Sequence, residues 1–333
     1  MTATTKLLKM GRLLGKREIG VSLIKLQRHI STAEKISPER EFREVEIEVP
    51  WGKIAGKHWG PPEVEPIIAL HGWQDNAGSL DPLVKHLPKD LSILAVDFPG
   101  HGYSSWLPKG MMYANLVYVQ LIHRIKQHYN MNRVGLIAHS MGGMMSFNYT
   151  ALFPQNVKFV VAFDYFKYPT YNSKKYLPRF IQDWEKFFRI EQLQTPAPRT
   201  SEQNAMDRYI EGSRNSLDEE MCKILFVRGA TRHPDGTVSF NRDPRVQFFL
   251  FDNGFSNEQL KEMASRIRCP YAVIKGESSS YNEKKESYFE VLEVIEAHSP
   301  DFRFHTMPGT HHFHMKNNSD LAELISPFIK KHL

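Results

Sequence analysis

The sequence predicts an α/β fold: a mostly parallel sheet with helices on both faces. Three observations predict it. From residue 41 onward, short apolar runs of buried-strand length alternate with helical patterns. One of those runs passes directly into a helix through a small-x-Ser-x-Gly turn. The alternation is broken once, by about a hundred residues, an interval too long for a single crossover.

A chain of 333 residues with 41% hydrophobic content can bury a sizeable core. Its longest apolar runs, such as Pro66 to Leu70 and Phe159 to Phe163, fall far short of the roughly 20 residues a membrane-spanning helix needs. No transmembrane segment is expected. The net charge of +6 is concentrated in residues 1–40, which hold nine basic and three acidic residues and leave 34 of each in the remainder. The body therefore has no global field to recruit polyanions, and no nucleic-acid partner is expected. Cys222 and Cys269 are too few for a secreted disulfide framework and too far apart for a metal or redox pair, so both read as buried thiols in a reducing compartment.

Residues 1–40 read as a basic N-terminal extension or presequence. Leu7, Leu8, Leu13, Leu14, Ile19, Leu23 and Ile24 interleave with Lys and Arg, and the segment ends in Arg28-His29-Ile30-Ser31-Thr32, the pattern of a cleaved mitochondrial presequence. The alternative is an extension packed on the domain, with a cytoplasmic location. A third address, peroxisomal, rests on the C-terminal Lys331-His332-Leu333, a distant relative of Ser-Lys-Leu.

Glu41 to Val49 and Lys53 to Trp59 form an opening hairpin around Trp51-Gly52. Strands follow at Ile67 to Leu70, Ser92 to Val96, Val134 to Ala138, Phe159 to Phe163, Tyr271 to Lys275 and Arg303 to Met307, making eight. Helices are predicted at Met111 to Tyr129, Met141 to Phe153, Ser256 to Ile267, Asn282 to His298 and Ser319 to Lys331. The core thus comprises 41–164 and 256–333. The interval 165–255, with Trp184, Phe187 and Phe188 in one helical pattern and a turn at Pro234-Asp235-Gly236, reads as a largely helical cap. It is inserted over the sheet's C-terminal edge, where open α/β sheets bind ligands.

Chemistry centres on Ala138-His139-Ser140-Met141-Gly142-Gly143. A serine on a sharp strand-to-helix turn needs small residues two before and two after it, and Ala138 and Gly142 meet that need. The turn presents Oγ at a helix N-terminus, where backbone N–H groups favour negative charge. Oxyanion donors are expected from the N–H of Met141 and, across the loop His71-Gly72-Trp73-Gln74-Asp75-Asn76, the N–H of Trp73. His71, Asp97, His101 and Ser104 read as loop hydrogen-bonders rather than proton carriers or metal ligands. No second His or carboxylate stands at a metal-ligand spacing, so no metal is expected.

The general base should be a histidine near the C-terminus, because chain order in this arrangement runs nucleophile, acid, histidine. His311, His312 and His314 compete, and His311, at the mouth of the loop two residues past Gly309, is best placed. For the acid, the usual slot three residues after Gly276 holds Ser279. Asp164, on a rigid strand end, is preferred over Glu277, which opens a Ser-rich loop.

These strings resemble the kraken/serine hydrolase-like branch of the α/β-hydrolase superfamily. His71-Gly72-Trp73-x-Asp75-Asn76-Ala77 is the most telling, joined by the Ser140 elbow, Arg228-Gly229 with Asn241-Arg242-Asp243, and Gly309-x-His311-x-x-His314-Met315. The resemblance spans roughly residues 42–330 and implies carboxyl-ester-type hydrolysis of a small acyl substrate by Ser140 and His311 without an organic cofactor or metal, with no particular substrate or oligomeric state assigned. Ser140 stands where haloalkane dehalogenases and epoxide hydrolases place Asp, which argues against both. A carbon–carbon bond hydrolase uses the same three groups, and a non-catalytic ligand-binding protein is the reading from another class.

Overall fold

The computed structural model describes residues 40–170, 173–192, 197–252 and 254–333. The N-terminal segment read above as an extension or presequence lies outside the described residues, apart from Arg40. Eight strands form one sheet: β1 (Phe42–Val49), β2 (Gly52–Trp59), β3 (Ile67–Leu70), β4 (Ile93–Val96), β5 (Val134–His139), β6 (Val157–Phe163) and two more that follow a long insert. The insert's own short strands are β7 (Thr200–Ser201), β8 (Ala230–Arg232) and β9 (Thr237–Phe240); the main sheet then closes with β10 (Tyr271–Gly276) and β11 (Phe302–Met307).

The order across the main sheet is β1-β2-β4-β3-β5-β6-β10-β11. The β1–β2 and β2–β4 pairs are antiparallel and the others parallel. The chain steps outward from β3 to β4, then returns to the far side of β3 as β5. That reversal is a switch point, the kind of place outside the strands' carboxyl ends where open α/β sheets bind ligands. His71–Asn76 follows β3 and Ser140 follows β5.

Strand residues alternate between two apolar layers, as a pleated sheet covered on both faces requires. Ile68, Leu70, Leu136, Ala138, Val160 and Val273 pack on one face with the helices Asn115–His128, Met141–Leu152 and Lys285–His298. Ile67, Ala69, Ile137, Val161, Phe163 and Ile274 pack on the other, with Leu80, Leu83 and the helix Asn318–His332. Each fully buried Val, Leu or Ile contributes about 1.5–3 kcal/mol over its exposed state.

The insert between β6 and β10 has its own small core of Met206, Met221, Cys222, Leu225, Phe226 and Val238. Besides helices Ser173–Gln192, Glu202–Gly212 and Glu219–Gly229 it carries the three-stranded sheet β7-β9-β8, which the helical reading of this interval did not anticipate. The reason is local: the turn Pro234-Asp235-Gly236, with Gly236 at φ 80°, reverses the chain between β8 and β9. Buried ionic and polar contacts tie the insert to the sheet. Arg228, only 2% exposed, donates from Nη2 to Asp97 Oδ2 at 2.7 Å and from Nη1 to Glu44 Oε1 at 2.5 Å. Asn76 Nδ2 donates to the Leu225 carbonyl at 2.8 Å, and the Trp73 indole to that of Val246 at 2.8 Å. Among the described residues no helix is long and apolar enough to cross a membrane.

The helix Met141–Leu152 must lie close against the chain leaving β6, and Gly143 makes that possible. A Cβ there would sit 2.0 Å from the Tyr165 carbonyl oxygen, whereas one at Gly212 meets nothing within 4 Å. Gly143→Ala is therefore expected to destabilise by about 3 kcal/mol or more, and Gly212→Ala to be neutral or to stabilise by up to about 1 kcal/mol. Chemical denaturation checks both; equal midpoints for the two variants would contradict the packing.

Candidate active site

Ser140 is the residue between β5 and the helix Met141–Leu152, and it holds φ 52°, ψ −112°, a left-handed conformation costly for a side chain. The surroundings impose it: Ser140 N–H donates to the Phe163 carbonyl at 3.0 Å and Gly142 N–H to the His71 carbonyl at 3.1 Å. The small residues flanking the turn are required sterically, since a Cβ on Gly142 would lie 2.6 Å from the Leu70 carbonyl oxygen. Met141 opens the helix, so its N–H has no intrahelical acceptor. Trp73 stands on the neighbouring loop after β3, where a turn from Gly72 to Asp75 and a left-handed Gln74 at φ 65° fold the backbone back.

One strand over, Asp164 directly follows β6 and holds φ 67°, which Asp tolerates better than most residues. Its carboxylate is fully buried and held by four donors. His311 Nδ1 reaches Oδ2 at 2.5 Å, and Ser279 Oγ reaches the same oxygen at 2.6 Å. Lys275 Nζ donates to Oδ1 at 2.6 Å, with Gly276 N–H at 3.3 Å. Burial opposes ionisation of Asp164, but the His311 bond and the Lys275 charge outweigh it and hold the carboxyl down at about 2. Asp164 is an anion throughout the neutral range.

His311 keeps 27% of its side-chain surface exposed. Burial pulls its pKa down to about 4, more than the Asp164 bond raises it. The imidazole is thus neutral near pH 7, and its Nδ1–H bond to Asp164 leaves Nε2 as the acceptor. The other two histidines of the loop are engaged elsewhere: His312 Nδ1 lies 2.6 Å from Ser216 Oγ on the insert, and His314 is completely buried. Glu277 is exposed and, among the described residues, its carboxylate accepts from Thr306 Oγ1 at 3.5 Å and makes no contact with His311.

The remaining loop residues serve as architecture. His71 Nε2 accepts from Phe98 N–H at 3.0 Å, and His101 Nε2 from Gln74 N–H at 3.3 Å. Asp97 accepts from Ala77 and Tyr103 N–H at 2.8 and 2.9 Å, and Ser104 Oγ bridges Ala55 N–H to the Asp97 carbonyl. Cys222 and Cys269 are buried free thiols, each pushed up to about 12 by burial.

Sequence reasoning missed Lys275. The signal was present, because a lysine within the apolar run Tyr271-Ala272-Val273-Ile274 demands a buried counter-charge. It also missed that Ser279, standing in the usual acid's place, donates to Asp164, and that His139 Nε2 lies 2.9 Å from the His311 carbonyl.

Residues 65–317 match the family model described as the alpha/beta hydrolase fold. A Drosophila melanogaster protein called "Probable serine hydrolase" is 35% identical over 298 residues, covering 88% of this chain and 89% of that protein. The human "Serine hydrolase-like protein 2" is 30% identical, covering 86% and 94% respectively. The solved thioesterase domain from the curacin biosynthetic pathway shares the fold at a TM-score of 0.70 and 21% identity, covering 86% of this chain and 99% of that domain. The chain belongs to the α/β-hydrolase family and, within it, to the serine hydrolase-like proteins.

The electrostatics make a testable statement about His311. Its depressed pKa means the folded protein resists a proton that the unfolded chain accepts below about 6.5. Stability is therefore expected to fall as pH drops from 6.5 toward 4. By NMR of ¹³C-labelled histidine, His311 should titrate well below 6.5. Removing the positive charge beside Asp164 strengthens the carboxylate's hold on the imidazolium, so Lys275→Met should raise that midpoint. A fall would contradict the assignment.

Proposed function

We propose that this protein is a serine hydrolase that cleaves a carboxylic ester or related acyl bond through an acyl-enzyme on Ser140. The observation that carries the reading is the bond from His311 Nδ1 to Asp164 Oδ2, formed at the end of β6 beside the strand end that carries Ser140. Register pairs His139 with Phe163, so the nucleophile and the acid are each the residue after a paired position.

In this mechanism neutral His311 takes the Ser140 hydroxyl proton on Nε2 as Oγ attacks the acyl carbon. Negative charge moves to the carbonyl oxygen, held by the N–H groups of Met141 and Trp73. The imidazolium is stabilised by Asp164 and returns its proton to the leaving oxygen as the tetrahedral species collapses. Water, deprotonated by the same imidazole, then releases the acid and restores Ser140. Lys275 offsets part of the Asp164 charge, which keeps His311 from binding its proton too tightly to return it.

The substrate reading rests on exposed aromatic groups of the loop after β3 and of the insert. Trp73 is 37% exposed, and the insert helix Ser173–Gln192 presents Trp184 and Phe188 on its surface. Such groups suit an apolar acyl or aryl portion, with the insert acting as a cap.

Turnover of p-nitrophenyl esters of graded acyl length tests the assignment. Ser140→Ala should abolish it, Asp164→Asn should lower kcat on the order of 10⁴-fold by disturbing the His311 tautomer, and Glu277→Gln should remain at the wild-type rate. The opposite ranking of the two acid variants would move the acid to the loop after β10. No ester turnover by any form would favour a ligand-binding role.

A further inference from the structure

Among the described residues of the insert, three arginines are buried or partly buried, and two of them are neutralised. Arg228 meets Asp97 and Glu44, and Arg245 meets Asp243 at 2.7 Å. Arg242 is the exception. Among the described residues no carboxylate stands within ion-pair distance of its guanidinium, and no acceptor takes a hydrogen bond from it. Burial pulls its pKa below the ordinary guanidinium value; burial acts on Arg228 and Arg245 too, but their carboxylates outweigh it. Asp75, a carboxylate whose charge reaches Arg242, faces His139 and His312 instead, at 3.6 and 3.4 Å. Arg208, whose charge also reaches it, has the same sign. A partly desolvated cation left without a counter-charge is costly, and such groups cluster at functional sites.

The chain fixes Arg242 through its neighbours. Asn241 Nδ2 donates to the Arg228 carbonyl at 2.8 Å, and Asn241 Oδ1 accepts from Thr231 Oγ1 at 2.6 Å. Asp243 accepts from the Tyr113 hydroxyl at 2.8 Å and from Arg245, and its N–H donates to the Gly100 carbonyl at 2.8 Å. Asn241 and Asp243 thus serve as architecture, and Arg242 is the member of the Asn-Arg-Asp string whose functional group is left over. Its guanidinium lies over the rings of Phe240 and Tyr209, 4.1 and 5.1 Å from their centroids, contacts that leave its N–H donors unused. The Tyr209 hydroxyl in turn donates to the Gln74 carbonyl. Gln74 follows Trp73, the expected oxyanion donor, whose indole bonds the Val246 carbonyl of the segment that carries Arg242. The unpaired cation is therefore tied to the loop that also accepts, at the His71 carbonyl, the Gly142 N–H of the nucleophile turn.

We propose that Arg242 binds a carboxylate of the substrate, so that the acyl compound cleaved at Ser140 also bears a free carboxylate. The inference rests on the hydrolase reading and names the substrate class for it. A guanidinium presents paired N–H donors that match the two oxygens of a carboxylate, and one cation balances one negative charge. A phosphate monoester, with a charge of about −1.5 to −2, calls for a second buried cation, whereas Arg208 is exposed. The exposed Trp73 side chain suits the apolar portion of the same substrate.

The test uses the full chain and pairs of substrates. The mono-p-nitrophenyl esters of adipic, suberic and sebacic acid keep a free carboxylate, and their methyl-capped counterparts are neutral. Wild-type protein should prefer the carboxylate form in kcat/KM by more than about 10-fold at one of these lengths, mostly through KM. Arg242→Gln should erase that ratio. Arg242→Lys, which retains the charge and the ring contact but not the paired donors, should keep part of it, and Arg199→Gln, which removes an exposed arginine elsewhere on the insert, should leave it intact. Equal turnover of both forms at every length overturns the proposal, as does a preference that survives Arg242→Gln, one that falls equally in Arg199→Gln, or a stronger preference for a phosphate-tagged ester. Ser140→Ala protein separates the two readings: by calorimetry it should bind the suberate monoester more tightly than its capped form without cleaving either, and adding Arg242→Gln should remove the difference. If no form of the protein turns over any ester, the hydrolase reading fails, and the presence or absence of that binding difference upholds or overturns the carboxylate site.

Discussion

The carboxylate of Asp164 joins two parts of the sheet that the chain reaches more than a hundred residues apart. It directly follows β6, yet three of its four donors, Lys275, Gly276 and Ser279, come from β10 and the turn after it, and the fourth, His311, from the loop after β11. Truncating one partner of such a buried charge pair costs about 3–5 kcal/mol, far more than any single surface contact in the molecule. The same four bonds fix the position and tautomer of His311. Stability and candidate chemistry therefore rest on one anion.

A second constraint acts from the neighbouring strand. Ser140 at φ 52° and Asp164 at φ 67° are adjacent strand ends, both in strained conformations, and the Ser140 N–H bond to the Phe163 carbonyl ties one to the other. The close approach of Gly142 to Leu70 and of Gly143 to Tyr165 holds the elbow helix against both. Through Asp97 and Arg228 the loop after β4 anchors the insert, and Asn76 and Trp73 carry that anchoring to the loop after β3. The elements around the strand ends that carry Ser140 and Asp164 thereby brace each other.

Much of this was legible in the sequence, for physical reasons. Strands β3, β4, β5, β6 and β10 are largely apolar runs buried along almost their whole length, and the ends of all eight main strands fall within about two residues of the pattern-based limits. Strands β7 to β9, of two to four residues, carry no periodicity and escaped notice. Ser140 was visible because its steric demands fall on immediate neighbours. The pairing of Asp164 with His311 followed from which loops face each other, whereas the turn of His312 toward Ser216 depends on the insert's packing and left no trace in spacing.

The account stands most directly on Ser140 being an activated nucleophile. Native protein should be treated with a fluorophosphonate probe and the adduct mapped by peptide mass spectrometry. One adduct on Ser140, absent from Ser140→Ala, is the predicted result. Folded wild-type protein that remains unlabelled under conditions where a control serine hydrolase reacts fully would contradict it, as would an adduct on a different serine such as Ser216.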